Sequence, residues 1–199
     1  HVLCEKPLAM SAKEAKEMLD LAEKKKLCHA TNHNLRYYPC VQQARAMIAN
    51  GDLGDIMVVQ GTYSQDWLLY DTDFNWRITR KANGPLRVMG DIGSHWMDMI
   101  QHVTGLSITA LCADLKIFHK TRKQPKVAIE TFAGKTLKPE DYDLVKIDTE
   151  DFGMAMIHMG DTCRGAYTVS QVSAGCKNRF EWLIAGTKGS ISWNQERPD

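Results

Sequence analysis

The sequence predicts a short α/β segment followed by a larger α+β unit that ends in a meander of antiparallel strands. Two observations predict this fold class. Residues 2–4, 11–26 and 27–31 follow one another as strand, helix and strand, the order typical of a parallel α/β sheet. After about residue 105, closely spaced β-rich segments are separated by Gly-containing turns, which is typical of antiparallel hairpins.

The first two helices are predicted by their N-terminal signals. Ser11 and Glu14 form a capping-box pattern, and the apolar residues behind them continue at helical spacing to about Lys26. Pro39 suits the first position of the next helix because its φ is already helical. That helix is expected to end near Asn50, where a Gly-containing turn follows.

The remaining elements are predicted to be one long helix and several strands. Residues 56–67 form an extended β-rich run, and residues 92–104 form a helix that Gly105 ends. The stretch 119–145 is expected to be the least ordered part, with the basic run 119–126 as a solvated loop rather than a phosphate contact. The later strands are expected near residues 107–118, 152–159, 163–172, 179–185 and 190–194, with hairpin turns at 159–162 and 186–189.

Charge and cysteine content exclude several classes of protein. The formal net charge is +1, so no strong field favours nucleic acid or an anionic membrane. Six cysteines are scattered without a Cys-x-x-Cys pair, which predicts reduced thiols in a cytoplasmic protein rather than a disulfide scaffold or a zinc knuckle. Because His1 begins directly on an apolar stretch and Asp199 closely follows a strand, we expect the sequence to be a fragment.

The tripeptide 5–7 (EKP) follows the first strand and forms the first candidate site. Parallel strands present ligands at their carboxyl ends, so Lys6 is expected to point into a crevice. Pro7 stiffens this turn because the residue before a proline is kept out of helical conformation. Taken alone, the tripeptide favours a simpler interpretation, a surface ion pair between Glu5 and Lys6.

A second candidate site lies at the start of the predicted helix 92–104. Asp91 precedes this helix, where a carboxylate can cap free amides, and His95, Asp98 and His102 share one helical stripe. A histidine within reach of a carboxylate can act as an acid/base pair near neutral pH. The spacing leaves three interpretations open: a catalytic pair, a core histidine with a capping aspartate, or a metal site.

The two motifs occur together in an order that resembles the Gfo/Idh/MocA oxidoreductases. The match runs from residues 5–7 (EKP) through 32–39 (NHNLRYYP), 51–54 (GDLG) and 91–98 (DIGSHWMD) to 150–152 (EDF) and 186–189 (GTKG). It covers nearly the whole chain. The resemblance implies that residues 1–35 are the C-terminal part of a dinucleotide-binding, Rossmann-type domain. Residues 36–199 would form a truncated α+β domain for substrate binding and dimerisation, with a large, mainly antiparallel open sheet.

The resemblance also implies roles for single residues. Lys6 matches the lysine that touches both the nicotinamide region and the substrate, Asp91 the acid that orients a substrate hydroxyl, and His95 the general acid/base. Trp76 and Arg77 match a Trp-Arg pair close to the cofactor. The implied cofactor contacts are Glu5, Lys6, Pro7, Trp76 and Arg77, and the implied substrate contacts are Lys6, Arg36, Asp91 and His95, with Asn32 near the same crevice.

The implied activity is that of an NAD(P)-dependent dehydrogenase acting on a secondary alcohol of a sugar or cyclic polyol, without a metal. Residues 168–178 resemble a sugar-dehydrogenase branch, with an inositol as the next choice. If His95 is the base, its protonation below a pKa of about 6.5 should suppress oxidation. The family's glycine-rich phosphate loop is absent from these 199 residues. We therefore expect the chain alone to bind NAD or NADP weakly, and its sequence does not choose between them.

Self-association is predicted from the strand 152–159, where both faces are largely apolar and one covering layer would leave one of them exposed. Members of the family pair through the open face of this sheet, so a homo-oligomer is implied. Two other functions stay open: a non-catalytic assembly module of the same fold, and a metal-dependent hydrolase or isomerase that uses Asp91, His95 and His102.

Overall fold

The computed structural model describes residues 1–126 and 138–197, and its first unit is a small parallel sheet with one helix. Strands β1 (Val2–Cys4) and β2 (His29–Thr31) pair in parallel, and helix α1 (Ala12–Lys24) connects them. Ser11 caps α1 by accepting from the Glu14 amide at 3.2 Å. This confirms the predicted strand–helix–strand order at the beginning of the chain.

A 3-10 turn (Asn34–Tyr37) leads into helix α2 (Pro39–Ala49), and strand β3 (Ile56–Ser64) follows it. Pro39 is the first residue of α2, as predicted. Gly54 lies at a φ of +70°, in the turn that enters β3. A Cβ there would lie 2.2 Å from Thr187 Oγ1, so glycine is required by both the backbone and the space.

The middle of the chain is helical. A 3-10 turn (Trp76–Ile78), a short helix α3 (Arg80–Asn83) and a π-helical turn (Met89–Gly93) precede helix α4 (Ser94–Thr104). Gly105 ends α4 in the left-handed conformation, with φ of 72°, as predicted. The predicted start of this helix at residue 92 was wrong because residues 89–93 form a wider turn.

Strands dominate the second half of the described chain. They are β4 (Ile108–Lys116), β5 (Thr121–Pro125), β6 (Tyr142–Lys146), β7 (Phe152–Met159), β8 (Cys163–Ser170), β9 (Arg179–Gly186) and β10 (Ser190–Asn194). Six of the strands form one sheet in the order β10-β9-β3-β8-β7-β4. Each pair in it is antiparallel except β3 with β8, which run parallel. The predicted large, mainly antiparallel sheet is therefore confirmed.

Helix α4 packs on one face of this sheet, and the other face is open. Trp96 of α4 is fully buried, and its ring stacks on Tyr167 of β8 at 4.3 Å between centroids. A Cβ on Gly61 of β3 would lie 2.6 Å from the Trp96 indole nitrogen, so the helix can approach only because this residue is glycine. On the open face, Met154 and Met156 of β7 are 43% and 64% exposed, which matches the predicted two-faced strand.

The predicted solvated loop at 119–126 was wrong. Strands β5 and β6 pair as an antiparallel ribbon, and Arg122 of β5 is fully buried. Its guanidinium donates to the carbonyl oxygens of Leu68, Tyr70 and Asp73 and to Asp151. Residues 127–137 of the stretch expected to be least ordered lie outside the described residues.

Candidate active site

The ammonium of Lys6 forms an ion pair with Asp91 at the carboxyl end of β1. Lys6 Nζ lies 2.9 Å from Asp91 Oδ1 and 2.8 Å from the Asp91 carbonyl oxygen, and both side chains are mostly buried. An ammonium has three N–H bonds, so one remains for a ligand. The predicted surface ion pair between Glu5 and Lys6 was wrong, because Glu5 instead accepts a hydrogen bond from Asn32 Nδ2 at 2.8 Å.

Asp91 lies in the π-helical turn, and its carboxylate is held from two sides. Oδ1 accepts from Lys6, and Oδ2 accepts from Gln171 Nε2 at 2.9 Å. No side-chain bond caps α4, so the interpretation of Asp91 as a helix cap was wrong. Single π turns are frequent at functional sites. Here the turn places a carboxylate, fixed in orientation, at the wall of a pocket.

Gln171 is a site residue that sequence reasoning missed. It directly follows β8, it is fully buried, and no hydrogen-bond partner of its Oε1 is found among the described residues. The signal that could have found it is its position: a polar residue immediately after a buried strand, inside the segment 168–178. Its contact with Asp91 spans 80 positions and depends on the sheet, which spacing alone does not reveal.

A cluster of buried charged side chains holds the backbone of the π-helical turn. Glu150 Oε1 accepts from the amides of Arg87 and Met89, at 2.8 and 3.0 Å, where the turn begins. Next to it, Asp151 accepts from the guanidinium groups of both Arg87 and Arg122. Asp151 thus pairs with two buried guanidinium groups, while Glu150 holds the backbone amides at the start of the turn that carries Asp91.

His95 lies in the first turn of α4 and lines the same pocket as Lys6 and Asp91. Only 9% of its surface is exposed. The ring of His33 meets it edge-on at 5.7 Å between centroids, and the ring of Tyr63 lies at 6.3 Å. His95 is therefore both a buried residue and a pocket residue, so burial does not exclude a chemical role.

The environment of His95 changes its titration. Burial, together with the positive charge of Lys6 and the neighbouring His33, lowers the pKa of His95 to about 4. Asp91 and Asp98 act in the opposite direction but do not offset these causes. The expectation that His95 titrates near 6.5 was therefore wrong: its ring is neutral at pH 7 and can accept a proton there.

Arg36 and His102, both proposed from the sequence, are not among the residues that line the pocket. Arg36 forms two hydrogen bonds with Asp98, one of them from Nε at 2.7 Å, so the predicted substrate contact of Arg36 finds no support in its position. His102 Nδ1 lies 2.8 Å from Arg45 Nη1 on α2. Within residues 1–126 and 138–197, no group of three or more His, Cys, Asp and Glu side chains could hold a metal ion.

The pocket has a volume of about 650 Å³, and one of its walls is built from the sheet. Tyr63 of β3, Gln65, Trp67 and Asn178 lie on this wall. Tyr63 OH donates to Asn178 Oδ1 at 2.8 Å, and burial raises the pKa of Tyr63 to about 12, so this hydroxyl stays protonated. The wall combines amide and hydroxyl groups with an indole ring.

The two residues of the predicted Trp-Arg pair are in contact with each other. The guanidinium of Arg77 lies 4.6 Å from the centre of the Trp76 ring, which is 55% exposed. Arg77 lines the pocket, whereas Trp76, Glu5 and Pro7 do not. A larger cleft, of about 1160 Å³, lies elsewhere, on the open face of the sheet, and contains none of the predicted site residues.

Comparison with known families identifies the chain. Residues 41–192 match the GFO/IDH/MocA C-terminal domain, and residues 1–33 match an oxidoreductase family with an NAD-binding Rossmann fold. The first match covers well over half of the chain. The chain therefore belongs to the Gfo/Idh/MocA family, as the resemblance predicted.

Similar proteins include dehydrogenases that act on sugars. Levoglucosan dehydrogenase of Pseudarthrobacter phenanthrenivorans is 30% identical over 200 residues, which cover 100% of this chain and 50% of that protein. A structure of levoglucosan dehydrogenase in complex with NADH and levoglucosan is 30% identical, with a TM-score of 0.86, and the match covers 100% of this chain and 49% of that one. An oxidoreductase domain protein from Kribbella flavida is 27% identical, with a TM-score of 0.89 and coverage of 100% and 50%.

These comparisons confirm the predicted fold class and, at the level of the family, the predicted cofactor class, NAD or NADP. The chain spans about half the length of the curated relatives it matches. No helix in the described part of the chain has both the length and the apolar character needed to cross a membrane.

Proposed function

We propose that the protein containing this chain is an NAD(P)-dependent dehydrogenase that oxidises a secondary alcohol of a sugar or cyclic polyol. The observation that carries this proposal is the meeting of Lys6, Asp91 and His95 in one pocket, with the ammonium 2.9 Å from the carboxylate. Such a pocket holds a base, a cation and an acceptor, which are the groups that alcohol oxidation requires.

The roles of the three residues follow from their charge states. His95, neutral at pH 7, takes the hydroxyl proton of the substrate. Lys6 uses its remaining N–H bond to stabilise the negative charge that develops on the same oxygen. Asp91 accepts from a neighbouring hydroxyl and so decides which carbon reacts. A nicotinamide cofactor, when bound, supplies the acceptor for the hydride.

The cofactor is proposed to lie beside the turn that follows β1. Glu5 is held there by Asn32, Pro7 shapes the turn, and the exposed Trp76 with Arg77 offers a flat, cationic surface. The family's phosphate-binding loop is absent from these 199 residues, so they alone should bind NAD or NADP very weakly and be inactive. Calorimetry on the 199-residue polypeptide tests this point, and micromolar affinity for either nucleotide would contradict it.

A single sugar ring is the substrate class that the pocket supports best. Its volume of about 650 Å³ is in the range of small-molecule sites. The wall offers Gln65 and Asn178 to the oxygen atoms of a sugar and the indole of Trp67 to an apolar ring face. The similarity to levoglucosan dehydrogenase supports a sugar, whereas an inositol remains the second choice.

We further propose a homo-oligomer that buries the open face of the sheet, on which Met154, Met156 and Leu183 are exposed. The boundary between the two domains is proposed between residues 35 and 36. A cytoplasmic location is proposed from the cysteines, all six of which are free thiols.

Substitutions at the three residues in the full-length protein test the proposed reaction. His95→Asn should lower kcat on the order of 100-fold or more, with cofactor binding and melting temperature retained. Lys6→Ala should lower kcat by a similar factor and also raise KM, because the ammonium contacts ground state and transition state alike. Asp91→Ala should act mainly on KM and on the position of oxidation.

The matched control is His102→Asn, the same substitution on the same helix but outside the pocket. It should leave kcat within roughly twofold of the wild-type value, because surface changes away from a site have small effects. A His95→Asn enzyme that keeps its stability and most of its kcat would refute the assignment of His95 as the base.

A further inference from the structure

One wall of the pocket carries three side chains whose hydrogen bonds all run in the same direction. The indole N–H of Trp67 donates to Gln65 Oε1 at 3.0 Å, and Gln65 Nε2 donates to Asn178 Oδ1 at 2.8 Å. We refer to Trp67, Gln65 and Asn178 as the amide chain. All three line the pocket that contains Lys6 and His95.

The direction of the amide chain is fixed by chemistry. An indole nitrogen can only donate, so Gln65 must turn its oxygen toward Trp67 and its NH₂ group toward Asn178. Asn178 must then turn its own oxygen toward Gln65. The protonated hydroxyl of Tyr63 donates to the same oxygen at 2.8 Å and adds to this constraint. Neither amide can flip without breaking these bonds.

The consequence is a fixed donor in the pocket. Asn178 is half-buried, and no partner of its Nδ2 is found in the described parts of the chain. Its two N–H bonds are left for a ligand. A free amide could rotate to offer either oxygen or nitrogen, but this one offers only nitrogen.

We propose that Asn178 is a specificity-determining residue that donates from Nδ2 to an ether oxygen of a cyclic sugar, and that Trp67 fixes this polarity through Gln65. This role of Asn178 rests on the proposed function and concerns the part of the substrate that is recognised. A hydroxyl both donates and accepts, so it would fit either orientation of Asn178. An ether oxygen only accepts, so it alone requires an anchored donor. The amide chain therefore favours sugars over inositols, whose rings contain no oxygen.

The test measures kcat and KM of the full-length protein for levoglucosan, glucose and myo-inositol. Trp67→Phe removes the anchoring donor, and Gln65→Glu removes the donor to Asn178 and so favours the inverted amide. Each should raise KM for the two sugars roughly 3- to 10-fold, the effect of losing one hydrogen bond, with kcat retained. Asn178→Ala should also raise KM for the two sugars by this factor, with kcat retained. Asn178→Asp should raise KM further, because a carboxylate repels an ether oxygen, and should shift the selectivity toward myo-inositol.

Trp193→Phe is the matched control, since the indole nitrogen of Trp193 has no partner among the described residues. The inference is overturned if Trp67→Phe behaves like this control, if Asn178→Asp equals Asn178→Ala for every substrate, or if the wild-type protein oxidises only myo-inositol. Oxidation of none of the three compounds would refute the proposed function itself, and the inference with it. Sugar oxidation with unchanged KM in the variants would refute only the role of the amide chain.

Discussion

The pH dependence of His95 provides the sharpest test of the site. Burial lowers its pKa to about 4, against 6.5 for an unperturbed histidine, and Lys6 is the next largest cause. If His95 is the base, kcat/KM for alcohol oxidation should stay flat from pH 7 down to about 5. With an unperturbed pKa, kcat/KM at pH 5 would be roughly 30-fold below its plateau, because the free enzyme would be mostly protonated.

The same shift has a consequence for stability. Because the pKa is lowered in the folded state, the unfolded chain binds the proton first as the pH falls below 6.5. The free energy of unfolding should therefore decrease between pH 6.5 and 4, by up to about 3 kcal/mol from this residue. Above pH 6.5 His95 is neutral in both the folded and the unfolded state, so its titration no longer changes the free energy of unfolding. His95→Asn should remove this part of the pH dependence.

Two measurements check the prediction: the pH profile of kcat/KM between 5 and 8, and NMR titration of the His95 ring in the wild-type protein. Lys6→Met is an informative comparison, because removing this charge should raise the pKa of His95 while burial still keeps it below 6.5. A wild-type pKa at or above 6.5, assigned to His95 by its absence in His95→Asn, would refute the argument from burial.

Three further predictions concern the surroundings of the site. Asp151→Ala leaves two buried guanidinium groups uncompensated and should lower the free energy of unfolding by about 3–5 kcal/mol. The control Asp148→Ala removes an exposed ion pair and should change the free energy of unfolding by less than about 1 kcal/mol. Denaturant unfolding measures both values. Gln171→Leu removes the hydrogen bond to one oxygen of Asp91 and should raise KM roughly 10-fold. The melting temperature should fall by no more than a few degrees. An unchanged KM would contradict the role of Gln171 in positioning Asp91. Met156→Lys on the open sheet face should shift the protein toward monomers in light scattering, and a wild-type protein that is already monomeric at tens of micromolar would contradict self-association.

Local sequence signals predicted much of the fold. The capping residue Ser11, the first-turn Pro39 and the left-handed Gly105 each mark a helix end through chemistry that acts within a few residues. Alternating burial along β7 likewise follows from the two-residue repeat of a strand. Signals of this kind are readable from sequence because the interacting groups are neighbours in the chain.

The failures have one physical cause, which is contact between distant parts of the chain. Arg122 lies in a basic run that predicts a solvated loop, yet it is buried because Asp151 and three backbone carbonyl oxygens receive its N–H bonds. The π-helical turn at Asp91 could not be predicted either, since Glu150 and Lys6 bond to it from other elements. Sequence spacing identifies the residue types of a site but not the partners that fix their orientation.

These distant contacts also explain how the site is kept in place. Lys6 belongs to the segment that matches the Rossmann fold, whereas Asp91 and His95 belong to the C-terminal domain. Each end of the Lys6–Asp91 ion pair is fixed separately: the lysine follows a parallel strand, and the aspartate is held by Gln171, which directly follows β8. Because the charge of Lys6 adds to burial in lowering the pKa of His95, the position of the first segment on the second affects the pKa of the base. The packing of the two segments is therefore part of the chemistry, since it brings the cation to the histidine.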